Sequence, residues 1–251
     1  MLFLDPLHSR ARERLRNLVD AFKGGDPLAP VSIIVPSTYA GLDLRHDLGR
    51  HSSANVHLLV LPRLTELLGA PSLASQGRRP LTPLLEAAAV RAVAAEAQIP
   101  LEAVRQHPAL HHTLQSTFRE LLHAAEEGLS SLAAHGELRA EVVRLYRLFR
   151  ERTDSHYYDR QALAQAAAQA VRDGAAPGLK DLGPVVFFLV TDLIPGERAL
   201  VEALAEHWSC AVVLGLTGDT VADGPVRALA ERLDSFQGPP QEGPAPQLPP
   251  V

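Results

Sequence analysis

Apolar and polar positions along the chain fall into two kinds of stretch. The first kind is a short unbroken apolar run, seen at Leu2–Leu4, Val31–Val35, Val56–Val60, Val185–Val190 and Ala211–Leu216. Runs without alternation are the mark of strands covered on both faces, as in a parallel sheet. Helical patterns follow most of them, which predicts right-handed βα crossovers and an α/β fold. VSIIV and VVFFLV are rich in β-branched and aromatic residues, so an all-α reading explains them poorly.

The second kind is purely helical and fills the chain from about Leu81 to Ala176. Leu110, Leu114, Phe118, Leu121 and Ala125 recur at helical spacing, as do Leu138, Val142, Leu145, Tyr146 and Phe149. Thr82-Pro83 and Asp159 are expected helix starts, by capping and by proline in the first turn. Gly128, Gly136 and Gly174 punctuate the stretch. The predicted plan is an α/β core over residues 1–80 and 177–236, interrupted by an all-helical insertion over residues 81–176. Residues 237–251, with GPPQEGPAPQLPPV from Gly238, are expected to be a Pro/Gly-rich tail or linker.

Composition narrows the class. Hydrophobic residues make up 46%, so a packed globular chain is expected. No apolar run approaches the roughly 20 residues of a membrane helix. The N-terminus meets Asp5 early and lacks the basic start of a secretory signal. The only cysteine is Cys210, so neither an intramolecular disulfide nor a cysteine-zinc cluster is expected, and a cytoplasmic location is predicted. The formal net charge of −5 argues against a free-standing, nonspecific nucleic-acid binder, while leaving room for a local basic strip.

Candidate chemistry is sparse. His107 and His111 stand four apart in HPALHH, but zinc needs a third ligand, and they are read as exposed helix histidines. Cys210 opens CAVVLGL and is expected to be buried and inert. Asp154, His156 and Asp159 invite an acid/base reading; an interhelical turn with Asp159 as a helix cap is preferred. No metal or cofactor is predicted.

The first turn, DPLHSRAR, stands where a phosphate-binding loop would follow the first strand and open a helix. It has no glycine and no lysine, and Pro6 removes an N–H donor. The strand VVFFLV carries no acid in its interior to hold Mg²⁺, and Asp192 lies beyond it. ATP hydrolysis is therefore not expected. Arg10 and Arg12 remain candidate anion-binding residues at the helix start, against the reading of a solvated basic helix face. Two loops at carboxyl ends of predicted strands are stronger candidates, since open parallel sheets bind ligands along that edge. In VPSTYAG, Pro36 stops the strand and Ser37 or Thr38 can cap the next helix. In VLPRLTELL, Pro62 ends the strand and Arg63 sits at the helix start. Ordinary capping is the competing reading of each.

The ordered set SIIVPSTYAGLDLRHDLG, VLPRLTELL, FRELLHAAEEGL, LYRLFRER with YYDRQAL, and LIPGERALVEAL followed by VVLGLTGD resembles a known family. It is similar to the N-terminal helicase-like region of the B subunit of bacterial ATP-dependent helicase–nucleases, the AddAB/RexAB type. The resemblance spans most of residues 1–236 and rests on motif order and spacing. It implies a P-loop-NTPase-like parallel sheet, a superfamily 1 helicase-like core with a helical 1B-like insertion. It further implies a role in double-strand-break repair beside a helicase–nuclease A-type subunit. By resemblance, Pro36, Ser37 and Thr38 match a helicase motif that touches single-stranded DNA, and Arg63 falls in the next. Ala11 and Arg12 stand about where the family's lysine and Ser/Thr would fall, and Phe188 and Leu189 where an Asp-Gly pair can occur. The expected function is a catalytically inactive scaffold and single-strand guide. The alternative is a protein-interaction module with no nucleic-acid binding.

Overall fold

A computed structural model describes residues 1–7, 9–49, 54–122, 124–176, 178–233 and 241–242. The chain divides into two compact units, Met1–Ser72 with Ala162–Val251, and Leu73–Gln161.

The first unit is an α/β layer structure. Its strands are β1 (Leu2–Pro6), β2 (Val31–Val35), β3 (Val56–Val60), β6 (Val185–Phe188) and β7 (Cys210–Leu216), all parallel, in the order β3-β2-β6-β7-β1. The expected sheet of five apolar runs is present. Two residues of the predicted tail, Gln241–Glu242 (β8), pair with Phe3 and Leu4 on the outer side of β1. The rest of the tail lies outside the described residues.

Side chains alternate between two cores, as the pleat requires. Phe3, Ile33, Val35, Val186 and Val213 pack under α1 (Ser9–Lys23) and α2 (Thr38–Gly49). Leu4, Ile34, Phe187, Val212 and Leu214 pack on the other face. That face is covered by α3 (Leu61–Ser75), α8 (Arg160–Arg172), α10 (Pro195–His207) and α11 (Gly224–Glu231). The helix α1 forms because Ala11, Leu15, Leu18 and Val19 fall on one stripe, and all four are buried. Gly69 lets α3 approach α8: a Cβ there would lie 2.4 Å from the Leu163 carbonyl oxygen.

Because α1 and α2 lie on one face and α3, α8 and α10 on the other, the chain winds outward in opposite directions from β2 and β6. These two strands are neighbours, so their carboxyl ends form a topological switch point.

The second unit holds α4 (Pro83–Ala94), a 3-10 turn at Glu102–Val104, α5 (Pro108–Leu121), α6 (Glu126–Ala133) and α7 (Glu137–Asp154). Thr82 caps α4, accepting the Leu85 N–H at 3.4 Å, with Pro83 in the first turn. Phe118, Tyr146 and Phe149 form its aromatic centre, with ring centroids 5.5 and 5.3 Å from Phe118.

Two details depart from the sequence pattern. The stretch is not wholly helical: within it β5 (Tyr157–Tyr158) forms a two-residue parallel ladder with β4 (Arg79–Pro80), which lies just ahead of the stretch. The division between units also falls at Ser72 and Ala162 rather than at residues 80 and 177. The reason is that α8 buries Ala167, Ala168 and Val171 in the α/β core, which helical periodicity alone cannot assign. Among the described residues no helix is long and apolar enough to cross a membrane.

Candidate functional site

The carboxyl edge of the sheet gathers the residues singled out by sequence. At the end of β1, Asp5 is buried and accepts from Arg14 Nε at 2.9 Å; the Arg14 guanidinium lies 4.5 Å above the Phe3 ring. Its charge is thus matched within the fold. The Leu7 N–H donates to the Leu216 carbonyl at 2.9 Å, so it is not offered to a ligand. A Cβ on Gly215 would come within 2.4 Å of Leu7 Cδ2 and 2.8 Å of Leu189 Cδ2. Two leucine side chains therefore fill the space over Gly215, beside the first turn. Arg12 forms an ion pair with Asp43 of α2, while Arg10 is exposed. His8 lies outside the described residues.

The strand β6 stops at Phe188 because Leu189 has φ +56°, in the left-handed region that costs a non-glycine residue about 1–2 kcal/mol. Its N–H still donates to the Val213 carbonyl at 2.8 Å. The predicted strand end at Val190 is thus shortened by a backbone turn. Beyond it Asp192 is exposed, and Glu197 is fully buried. Glu197 Oε2 accepts the Ile194 N–H at 3.3 Å and so helps cap α10.

The two loops predicted to bind a ligand meet. After β2, Pro36, Ser37 and Thr38 are exposed, and Ser37 Oγ caps α2 by accepting the Ala40 N–H at 3.2 Å. Tyr39 beside them is 85% exposed, a free aromatic face. After β3, Arg63 is exposed on the first turn of α3 and pairs with Glu66 at 2.7 Å. Thr38, Leu42, Arg45, Leu58, Val60 and Arg63 line one cleft of about 180 Å³ at the edge of the sheet. Gly41 makes the cleft's inner wall tight: a Cβ there would sit 3.4 Å from Val35 Cγ2. Arg45 carries no motif signal. It joins Thr38 and Leu42 only through the helical spacing of seven and three residues.

The end of β7 carries a carboxylate that sequence reasoning missed. Asp223, buried, accepts the Thr217 N–H at 2.7 Å, the Thr217 hydroxyl at 2.8 Å and the Gly218 N–H at 3.0 Å. Burial pushes its carboxyl up, but these bonds and Arg227 outweigh it and hold the group below the usual carboxylate range. Asp223 fixes the turn rather than offering itself to a ligand.

The remaining sequence candidates are engaged locally. His107 Nδ1 accepts the Ala109 N–H at 3.2 Å as the cap of α5, and His111 Nε2 bonds the Arg105 carbonyl at 2.9 Å. Asp154 pairs with Arg150 at 3.1 Å, and Asp159, just ahead of α8, pairs with the same guanidinium. Burial, then the neighbouring Asp159 charge, raises the Asp154 carboxyl against the pull of Arg150. His156 packs edge-on to Tyr157 at 6.5 Å. Burial lifts the Cys210 thiol to about 12, so no thiolate forms near neutrality. Among the described residues no three His, Cys, Asp or Glu side chains are grouped to hold a metal ion.

No protein-family model matches the sequence, and no curated protein matches it.

Proposed function

We propose that the chain is a catalytically inactive helicase-like domain that guides single-stranded DNA, acting beside an ATP-driven helicase–nuclease A-type subunit in double-strand-break repair. The observation that carries the reading is the filled first turn. Where a nucleotide phosphate would lie, Leu7 and Leu189 close over Gly215 and the Leu7 N–H is already bonded. Leu189 also holds a left-handed backbone where the family places glycine, which suits a metal-binding strand end that has lost its Asp-Gly pair. The other half of the reading rests on the cleft that joins Thr38 to Arg63. Cytoplasmic location follows from the same reading.

The test is twofold. The purified chain should show no DNA-stimulated ATPase. It should bind labelled single-stranded oligonucleotide with a salt-dependent affinity, and Arg63→Ala should lower the log–log salt slope by about 0.7, the loss of one phosphate contact. Turnover abolished by changing Arg10 or Arg12 overturns the first claim, and an unchanged slope overturns the second.

A second reading, a protein-interaction module, is favoured by the pairing of Arg12 with Asp43 and of Arg63 with Glu66. Half-buried β3 at the sheet edge offers unpaired backbone groups to an added strand. Absence of any oligonucleotide binding at low salt would decide for it.

A further inference from the structure

The cleft beside β3 presents three groups of opposed character. Arg63 reaches it from α3 and is paired with Glu66, an exposed carboxylate at 2.7 Å. Arg45 reaches it from α2, is exposed, and makes no ion pair with a described residue. Between them the lining is apolar at Leu42, Leu58 and Val60, and Thr38 joins it. Such a lining has two guanidinium groups for phosphate oxygens. It has almost nothing to tell one base edge from another.

From this juxtaposition we infer that the cleft takes two successive backbone phosphates of a single strand without regard to base, one at Arg45 and one at Arg63. Arg45 is the principal contact, and Glu66 is an internal competitor for Arg63. The inference rests on the single-strand reading above and adds to it a residue, Arg45, and an opposing charge, Glu66. An exposed arginine–carboxylate pair is worth little in water, so an incoming phosphate can displace Glu66 from Arg63. Arg45 has no such pair to break. Its guanidinium can give a bidentate contact at once.

The experiment measures binding of the whole chain to labelled oligo(dT), oligo(dA) and oligo(dC) across a salt series. Circular dichroism melts check that each variant is folded. Arg45→Ala should reduce the salt slope by about 0.7 equally for all three oligonucleotides. Glu66→Gln should move the other way and tighten binding several-fold at low salt, a gain that misfolding cannot produce. If Arg63→Ala weakens binding while Arg45→Ala and Glu66→Gln do not change it, the inference fails and the single-strand reading stands. If the unaltered chain binds none of the oligonucleotides, that reading fails and the inference with it. Unequal losses among the three oligonucleotides overturn the base-independent mode. Displacement of the oligonucleotide by poly-glutamate at equal charge overturns the nucleic-acid assignment in favour of an acidic peptide.

Discussion

Single residues here do more to hold turns than to present chemistry. Lys23 is the plainest case. Its ammonium is buried at the end of α1 and donates to the carbonyls of Pro27, Ala29 and Ala54 at 3.0, 2.6 and 2.7 Å. Three backbone acceptors from two separate loops thus depend on one cation. Lys23→Met keeps most of the aliphatic stem and strands all three carbonyls, so it should cost about 3 kcal/mol, measured by urea unfolding. A change under about 0.5 kcal/mol would mean that water replaces the ammonium without loss. Asp5 with Arg14, and Asp223 with Thr217, follow the same logic at the ends of β1 and β7. In each, a polar group that looks available in the sequence is already satisfied.

Elements meet through close approaches that the pattern of apolar residues does not announce. The contact of α3 with α8 is set by Gly69, whose missing Cβ leaves room for the Leu163 carbonyl and the Ala167 N at 2.4 and 2.8 Å. Gly69→Ala would gain about 1 kcal/mol in helix propensity. It would lose about 3 kcal/mol by overpacking against backbone that cannot turn aside. The clash wins, and a thermal melt should show a net loss of about 2 kcal/mol; a more stable variant would show that the helices can slide apart. The cap at Thr82 was legible because it depends on residues within one turn. The join of α8 to the α/β core was not, since its alanines suit any close helix contact.

At the scale of the molecule, the two units have separate apolar centres, one around Phe187 and one around Phe118. Phe118 is fully buried and touches two aromatic rings. Phe118→Ala should cost about 3–5 kcal/mol within its own unit. Two units with separate cores need not unfold as one. Calorimetry should therefore resolve two transitions, with only one lowered by Phe118→Ala. A single transition shifted as a whole would show that the units unfold cooperatively.

The sequence by itself determined the five main strands of the parallel sheet, because each is an unbroken apolar run that a covered sheet can bury, with β3 left half-buried at the edge. It also determined that the first turn lacks the glycines and lysine of a phosphate loop. Only the tertiary structure decided which strands are neighbours. Ser32 bonds the Leu182 carbonyl at 2.7 Å across 150 positions, and no local pattern carries such a pairing. Tertiary structure likewise brought Leu7 and Leu189 over Gly215, and Arg45 and Arg63 to one cleft. Hydropathy records how each residue meets water, one position at a time. Which side chains share a space depends on the register and crossing of whole elements, and that is settled when distant parts of the chain pack.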